Sequence, residues 1–363
     1  AVDSPTPAPG SDDAYYSTTP LGSQRSKPAM ARFLSTDHPQ YSEQSYVWAG
    51  SLIPDDGSPN FGFAFEMQRN DQALPLVGLT PVVQAAALVN PGSDSGYRIG
   101  GAGGVAEATI PVSTTSRPWS ARVQTSQLGQ QPRFVDARLV DGRFGYKGAV
   151  YELSAMVDDV STGAPPGRLV QVYVRAVDTT GLFQWGYGPS GFAPMWVLPE
   201  QREVIDSKYG SSMARYLKAT ADPMRSQGQY YYTLPSLKVQ RWWTVSGSDV
   251  SASGSGGVLW FDSVMRSFSP AAEQVVTGGV SWTEFSLRIP KLGMAGKVGF
   301  TQQASVGRFP YAQLSDTSAP RADNGAFVPT RSYRMDRIVI RPVADSVYTA
   351  SSGQRFYTEY VLK

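Results

Sequence analysis

The chain lacks cysteine, has a single histidine, and contains no apolar run long enough to cross a bilayer. Each absence removes a class of function. Without cysteine there is no disulfide framework, no thiolate nucleophile and no thiolate metal site. With His38 alone, a three-histidine zinc centre is impossible. A serine–histidine–acid triad would have to recruit His38 from Thr36-Asp37-His38-Pro39, ahead of the first strand pattern. Gly188-Pro189-Ser190-Gly191, the nearest approach to a nucleophile elbow, lacks its spacing and its strand-to-helix setting. No calcium-loop spacing occurs, so no metal is expected. The longest apolar stretch, residues 82–89, is interrupted by Gln84 and falls far short of the ~20 residues of a spanning helix. Charge is sparse too: 17% of residues, with 32 basic against 30 acidic and a net charge of +2. No like-charge block or basic stripe appears, so no nucleic-acid partner is expected. Gly101-Ala102-Gly103-Gly104-Val105-Ala106 loosely matches a dinucleotide fingerprint. It continues into Thr109-Ile110-Pro111-Val112 instead of a helix, so it reads as a glycine loop and no cofactor is expected.

What the chain does have is glycine (36), proline (27) and aromatic residues (12%) in a sequence of 363 residues, long enough for two domains. Short runs of alternating, β-branched and aromatic residues are punctuated by turn pairs. Residues 45–53 run into Asp55-Asp56-Gly57, after which Phe61, Phe63 and Phe65 fall on one face at period two. Residues 133–140 meet Asp141-Gly142, a strong hairpin signal, and residues 144–156 are expected to continue as a strand. Residues 169–177 alternate cleanly, and strand signals resume at 229–233, 237–245 and 257–264. A second series follows at 280–289, 295–301, 333–340 and 356–362, with a loop expected over 313–329. Only residues 200–221 read as helical. No fixed-period repeat argues for a propeller or solenoid. The fold expected is all-β: two tandem calycin-type antiparallel β-barrels with one short helical segment. The expected layout is a flexible tether over 1–30, a larger barrel over 31–272 and a smaller one over 273–363. Residues 1–28, rich in Pro, Ser, Thr and Gly, resemble the start of a mature exported protein, so export is expected.

Eight Trp, 19 Tyr and 15 Phe suit either a solid core or an aromatic-lined pocket with a few polar tips. Tyr230-Tyr231-Tyr232 and Trp242-Trp243 are the densest cases. One carboxylate is out of character. Asp262 ends the apolar strand Val258-Leu259-Trp260-Phe261-Asp262. Buried, it would gain pKa and could deliver a proton near neutral pH; at a strand end, it would simply cap the turn into Ser263.

At these residues the chain resembles the lipocalin-like family that contains the carotenoid hydratase hydroxyneurosporene synthase and the AttH-like proteins. The family opens on His-Pro, then a Glu-Trp-Trp-Tyr strand, an acidic turn and an "fGF" strand ending in Arg. Here the counterparts are His38-Pro39, Glu43 through Gly50, Asp55-Asp56-Gly57, and Phe61-Gly62-Phe63 through Arg69. A later block, Tyr-Tyr-Tyr and then Gly-x-Ala-Trp-hydrophobic-Asp-His, is matched by Tyr230 to Tyr232 and Gly257 to Ser263. A third, a Trp-containing strand, fits Trp282 and Phe285. The family histidine is Ser263 here, and the Trp-Trp pair is reduced to Tyr46 with a displaced Trp48. The resemblance implies two lipocalin-like barrels and a hydrophobic small-molecule ligand. It further implies a cofactor-independent hydratase, isomerase or cyclase for an unsaturated terpenoid or polyketide. Asp262 would be the catalytic acid, with Tyr46, Trp48, Phe63, Tyr231, Trp260 and Trp282 as the substrate wall. The rival expectation, favoured by Ser263, is a non-catalytic exported carrier of lipid or pigment. A side-chain-filled structural protein is a third.

Overall fold

The computed structural model describes residues 43–70, 82–89, 96–98, 107–109, 119–125, 133–159, 164–185, 192–194, 228–247, 249–267, 280–303, 307–318, 331–333, 339–349, 355–357 and 359–362. Its strands run in chain order as β1 (Glu43–Ile53), β2 (Phe61–Asn70), β3 (Val82–Val89), β4 (Gly96–Arg98), β5 (Glu107–Thr109), β6 (Ser120–Thr125) and β7 (Arg133–Asp141). Then follow β8 (Val150–Asp158), β9 (Leu169–Asp178), β10 (Phe183–Trp185), β11 (Phe192–Pro194), β12 (Gly228–Ser246), β13 (Asp249–Gly254) and β14 (Gly256–Ser267). These fourteen form one antiparallel sheet in the order β4-β3-β2-β1-β14-β12-β9-β8-β7-β6-β5, with β10, β11 and β13 added on β12. The all-β expectation holds, and among the described residues there is no α-helix.

The sheet curls into a half-barrel because one face is apolar along nearly every strand. In β2, Phe61, Phe63, Phe65 and Met67 are buried at period two, and in β9 so are Val170, Val172, Val174 and Ala176. Here that period-two stripe is buried by the sheet curling over itself. Contacts of β2 and β3 with β7, and of β4 with β8, bring the two arms together. Tight crossings need glycine. A Cβ at Gly50 would lie 2.0 Å from the Val258 carbonyl oxygen, and one at Gly257 would lie 2.4 Å from that of Ser51. The long strand β12 shifts its register against β14 at a bulge. Leu234 faces Phe261 but Leu237 faces Leu259, so Pro235-Ser236 carries one extra residue. Proline, with no N–H to give a ladder, is tolerated at such a point.

Two sequence expectations need correction here. The strand expected from residue 144 begins at Val150, because residues 142–149 form the β7–β8 loop instead of a tight Asp141-Gly142 turn. This loop is tied down by the Gly145 amide, which donates to the Tyr151 hydroxyl at 3.0 Å, and it lays Phe144 onto the aromatic core. The loop expected from residue 313 begins later, because residues 313–316 complete a strand.

A second antiparallel sheet follows: β15 (Val280–Ile289), β16 (Met294–Gln303), β17 (Gly307–Asp316) and β18 (Arg331–Tyr333), paired in that order. Beyond it lie two short pairs, β19 (Ile340–Pro342) with β22 (Tyr360–Leu362), and β20 (Val347–Thr349) with β21 (Arg355–Tyr357). Val298 and Ile340 make a small core with Phe285, Leu287 and Tyr360 on one side of the second sheet. Its other side meets β12 of the large sheet. The tether, the expected helix over 200–221 and the glycine loop at 101–104 lie outside the described residues.

Candidate functional site

Strand alternation sorts the expected site residues onto two faces. In β1, Tyr46 and Trp48 point inward, and the register sets them beside Ser263 and Phe261 of β14. Phe63 of β2 joins them, and all three aromatic side chains are buried. Trp119, just before β6, closes the group from the opposite arm. Its ring lies 6.0 Å from Trp48, 6.4 Å from Tyr46 and 4.8 Å from Phe144. Nothing in the local sequence of Trp119 singled it out.

Three buried polar atoms of this interior have no hydrogen-bond partner: the indole nitrogens of Trp48 and Trp119, and the Ser263 hydroxyl. Each such buried group costs about 1–3 kcal/mol relative to a satisfied one. Ser263, which stands at the family's histidine position, is wholly buried on this inner face.

Asp262 and Trp260 face the other way. Asp262 shares a cross-strand row with Val47 of β1 and Thr233 of β12. Above that row lies the second sheet. Lys297 of β16 donates from Nζ to Asp262 Oδ2 at 2.5 Å, with the two side chains only 2% and 6% exposed. The Trp260 ring centre is 5.4 Å from Nζ, and this residue is half-buried. Asp262 therefore faces neither solvent nor the aromatic interior. It sits in a buried seam between the sheets, against an amine. The signal for Lys297 was present in the sequence: Met294-Ala295-Gly296-Lys297-Val298-Gly299-Phe300 is an apolar strand with one charge in it, as out of character as Asp262. What the sequence did not supply was the pairing of the two strands.

The seam's electrostatics follow from its burial. Burial pulls the Lys297 ammonium well below its ordinary pKa, because an unsolvated charge is costly. The carboxylate beside it acts in the opposite direction. At this contact distance the charge on one group bears directly on the other.

Tyr231 and Trp282 complete the expected set. The backbone of Tyr231 pairs with Val264 and Trp185, and that of Trp282 with Thr301; their side chains lie outside the described residues. An open groove of about 630 Å³ lies elsewhere, toward the far end of β12, lined by Arg133, Met156, Arg168, Gln171 and Val245. None of the expected site residues lines it. Its two guanidiniums are engaged, Arg133 with Asp158 at 2.6 Å and Arg168 with Asp159 at 3.2 Å. Among the described residues there is no cluster of three or more metal-ligating side chains, and no helix long and apolar enough to cross a membrane.

No protein-family model and no curated protein matches the chain. A solved structure does: that of a protein described as a "putative AttH" from Nitrosomonas europaea, with a TM-score of 0.52 and 14% identity. The match covers 90% of this chain and 78% of that one. The protein thus has a distant AttH-like, all-β fold.

Proposed function

We propose that the protein is a cofactor-independent enzyme of the hydratase, isomerase or cyclase type. On this reading it acts on a hydrophobic unsaturated terpenoid or polyketide where its two sheets meet. The observation that carries it is the Asp262–Lys297 contact, a carboxyl and an amine held together in a buried seam. Strongly perturbed titratable groups cluster at functional sites. A carboxylic acid held neutral near pH 7 is what protonation of an isolated alkene requires. Lys297 holds the carboxyl oxygen in place, and the Trp260 ring face stabilises a developing carbocation by about 0.5–2 kcal/mol. The aromatic interior of the large sheet then serves as scaffold, and Tyr46, Trp48 and Phe63 act through it.

The rival reading is a carrier. The unpartnered polar atoms of Trp48, Trp119 and Ser263 favour it, since an oxygen-bearing apolar ligand would satisfy them. One experiment divides the two. Native mass spectrometry with organic extraction identifies a co-purifying hydrophobe, on which turnover and affinity are measured for Asp262→Asn beside Trp260→Ala. The enzyme reading expects Asp262→Asn to lose at least ~10²-fold in turnover with binding nearly intact. Wild-type protein that binds the hydrophobe and never converts it supports the carrier.

A further inference from the structure

Buried ion pairs are usually built from arginine, whose planar fork grips both carboxylate oxygens and whose charge is never lost. Here the cation is a lysine, buried on the central strand of a sheet, with its amine on Asp262 Oδ2 and a half-exposed indole beside it. Lysine differs from arginine in one chemical respect that this setting brings out. Desolvated, it becomes a neutral amine and a nucleophile toward carbonyl carbon.

We propose that Lys297 is a covalent attachment point, condensing with the carbonyl of a hydrophobic conjugated aldehyde or ketone, with Asp262 as the proton carrier. This rests on the seam being the substrate site. The atoms balance starting from amine and carboxylic acid. The Nζ lone pair forms a bond to the carbonyl carbon, and one amine proton passes through Asp262 to the carbonyl oxygen, giving a carbinolamine. The carbon–oxygen bond then breaks, and the hydroxyl leaves as water with the Asp262 proton. The nitrogen lone pair completes the carbon–nitrogen double bond. The products are a protonated imine, a carboxylate and water. No oxidant or further reactant is needed, and hydrolysis reverses each step. The structure supplies what the cationic imine requires: a carboxylate at the nitrogen and the Trp260 ring face. Such an imine withdraws electrons from a conjugated chain, which eases double-bond migration and ring closure. The reaction class that follows is therefore isomerisation or cyclisation of a polyene carbonyl.

The test uses the full chain, equimolar cinnamaldehyde and sodium cyanoborohydride at pH 7, with peptide mapping by mass spectrometry. The expected result is a reduced cinnamyl adduct on Lys297 at least tenfold above that on the exposed Lys238 and Lys291. Lys297→Arg, which keeps a cation, should remove that adduct alone. Asp262→Asn should slow trapping at Lys297 at least tenfold. Labelling spread over surface lysines with Lys297 unmodified overturns the proposal, and undiminished trapping in Asp262→Asn overturns the role of the carboxyl. If Lys297 is not trapped while Asp262→Asn still abolishes turnover, the covalent step falls and the enzyme reading stands. Trapping at Lys297 with unchanged Asp262→Asn turnover supports the attachment and sinks acid catalysis.

Discussion

Lys297→Met should be among the most damaging single substitutions in the chain. Methionine fills most of the lysine volume, so packing against Trp260 and the large sheet is largely preserved. What is lost is a charged partner of a carboxyl whose side chain is 6% exposed. Removing one member of such a pair typically costs about 3–5 kcal/mol, because the remaining group is left buried without compensation. Removing both should cost far less. Lys297→Met with Asp262→Leu should lie within about 1 kcal/mol of wild type, or above it, since an apolar replacement of a buried pair is often neutral or stabilising. Urea unfolding followed by tryptophan fluorescence measures both proteins, provided the slopes match, so that a changed midpoint reports stability. A loss below about 1 kcal/mol for Lys297→Met would show that the seam is wetter than described and that the pair is not coupled.

Three further outcomes follow from the same geometry. In wild type the Asp262 carboxyl opposes the cost of burying the Lys297 ammonium, so the pH dependence that this amine gives to stability is damped. In Asp262→Asn the folded Lys297 amine, pulled down by burial, releases its proton before the unfolded lysine does. Stability should then rise with pH up to about 10.4, and urea midpoints that parallel wild type from pH 6 to 10 would contradict this. Gly50→Ala places a Cβ 2.0 Å from the Val258 carbonyl oxygen and should cost about 1–3 kcal/mol or more, read as a lowered melting temperature; an unchanged value would mean that the β1–β14 crossing yields. Trp48→Phe removes an indole N–H with no partner, whereas Trp242→Phe removes a hydrogen bond of 3.2 Å to the Ile53 carbonyl. The second should be more destabilising by about 1 kcal/mol in denaturant unfolding, and the reverse order would be contrary.

Much of the fold is legible in the sequence because strand burial has a period of two. The Phe61-Phe63-Phe65 stripe, the 169–177 alternation and the Asp55-Asp56-Gly57 turn are local signals, and the strands form where those signals lie. The loop at 142–149 was not legible. Its conformation depends on the Tyr151 hydroxyl and on a docking site for Phe144 that only the closed sheet provides. The candidate site divides in the same way. Asp262 could be singled out as a carboxylate in an apolar strand, whereas Tyr46 and Trp48 were marked only by the family resemblance. That Asp262 and Trp260 face away from Trp48 follows from one-residue alternation, since neighbours in a strand point to opposite sides. The partnership with Lys297 is a contact between strands of different sheets, and no local pattern encodes it.

The most direct test of the account follows the proton itself. Linear isoprenoid and polyketide polyenes, or the hydrophobe that co-purifies, are incubated with the protein in D₂O, and the products are analysed for carbon-bound deuterium. The account predicts solvent deuterium in the product of the wild-type protein, and at least ~10²-fold slower incorporation by Asp262→Asn. Product formed without deuterium, or equally fast labelling by Asp262→Asn, would contradict it.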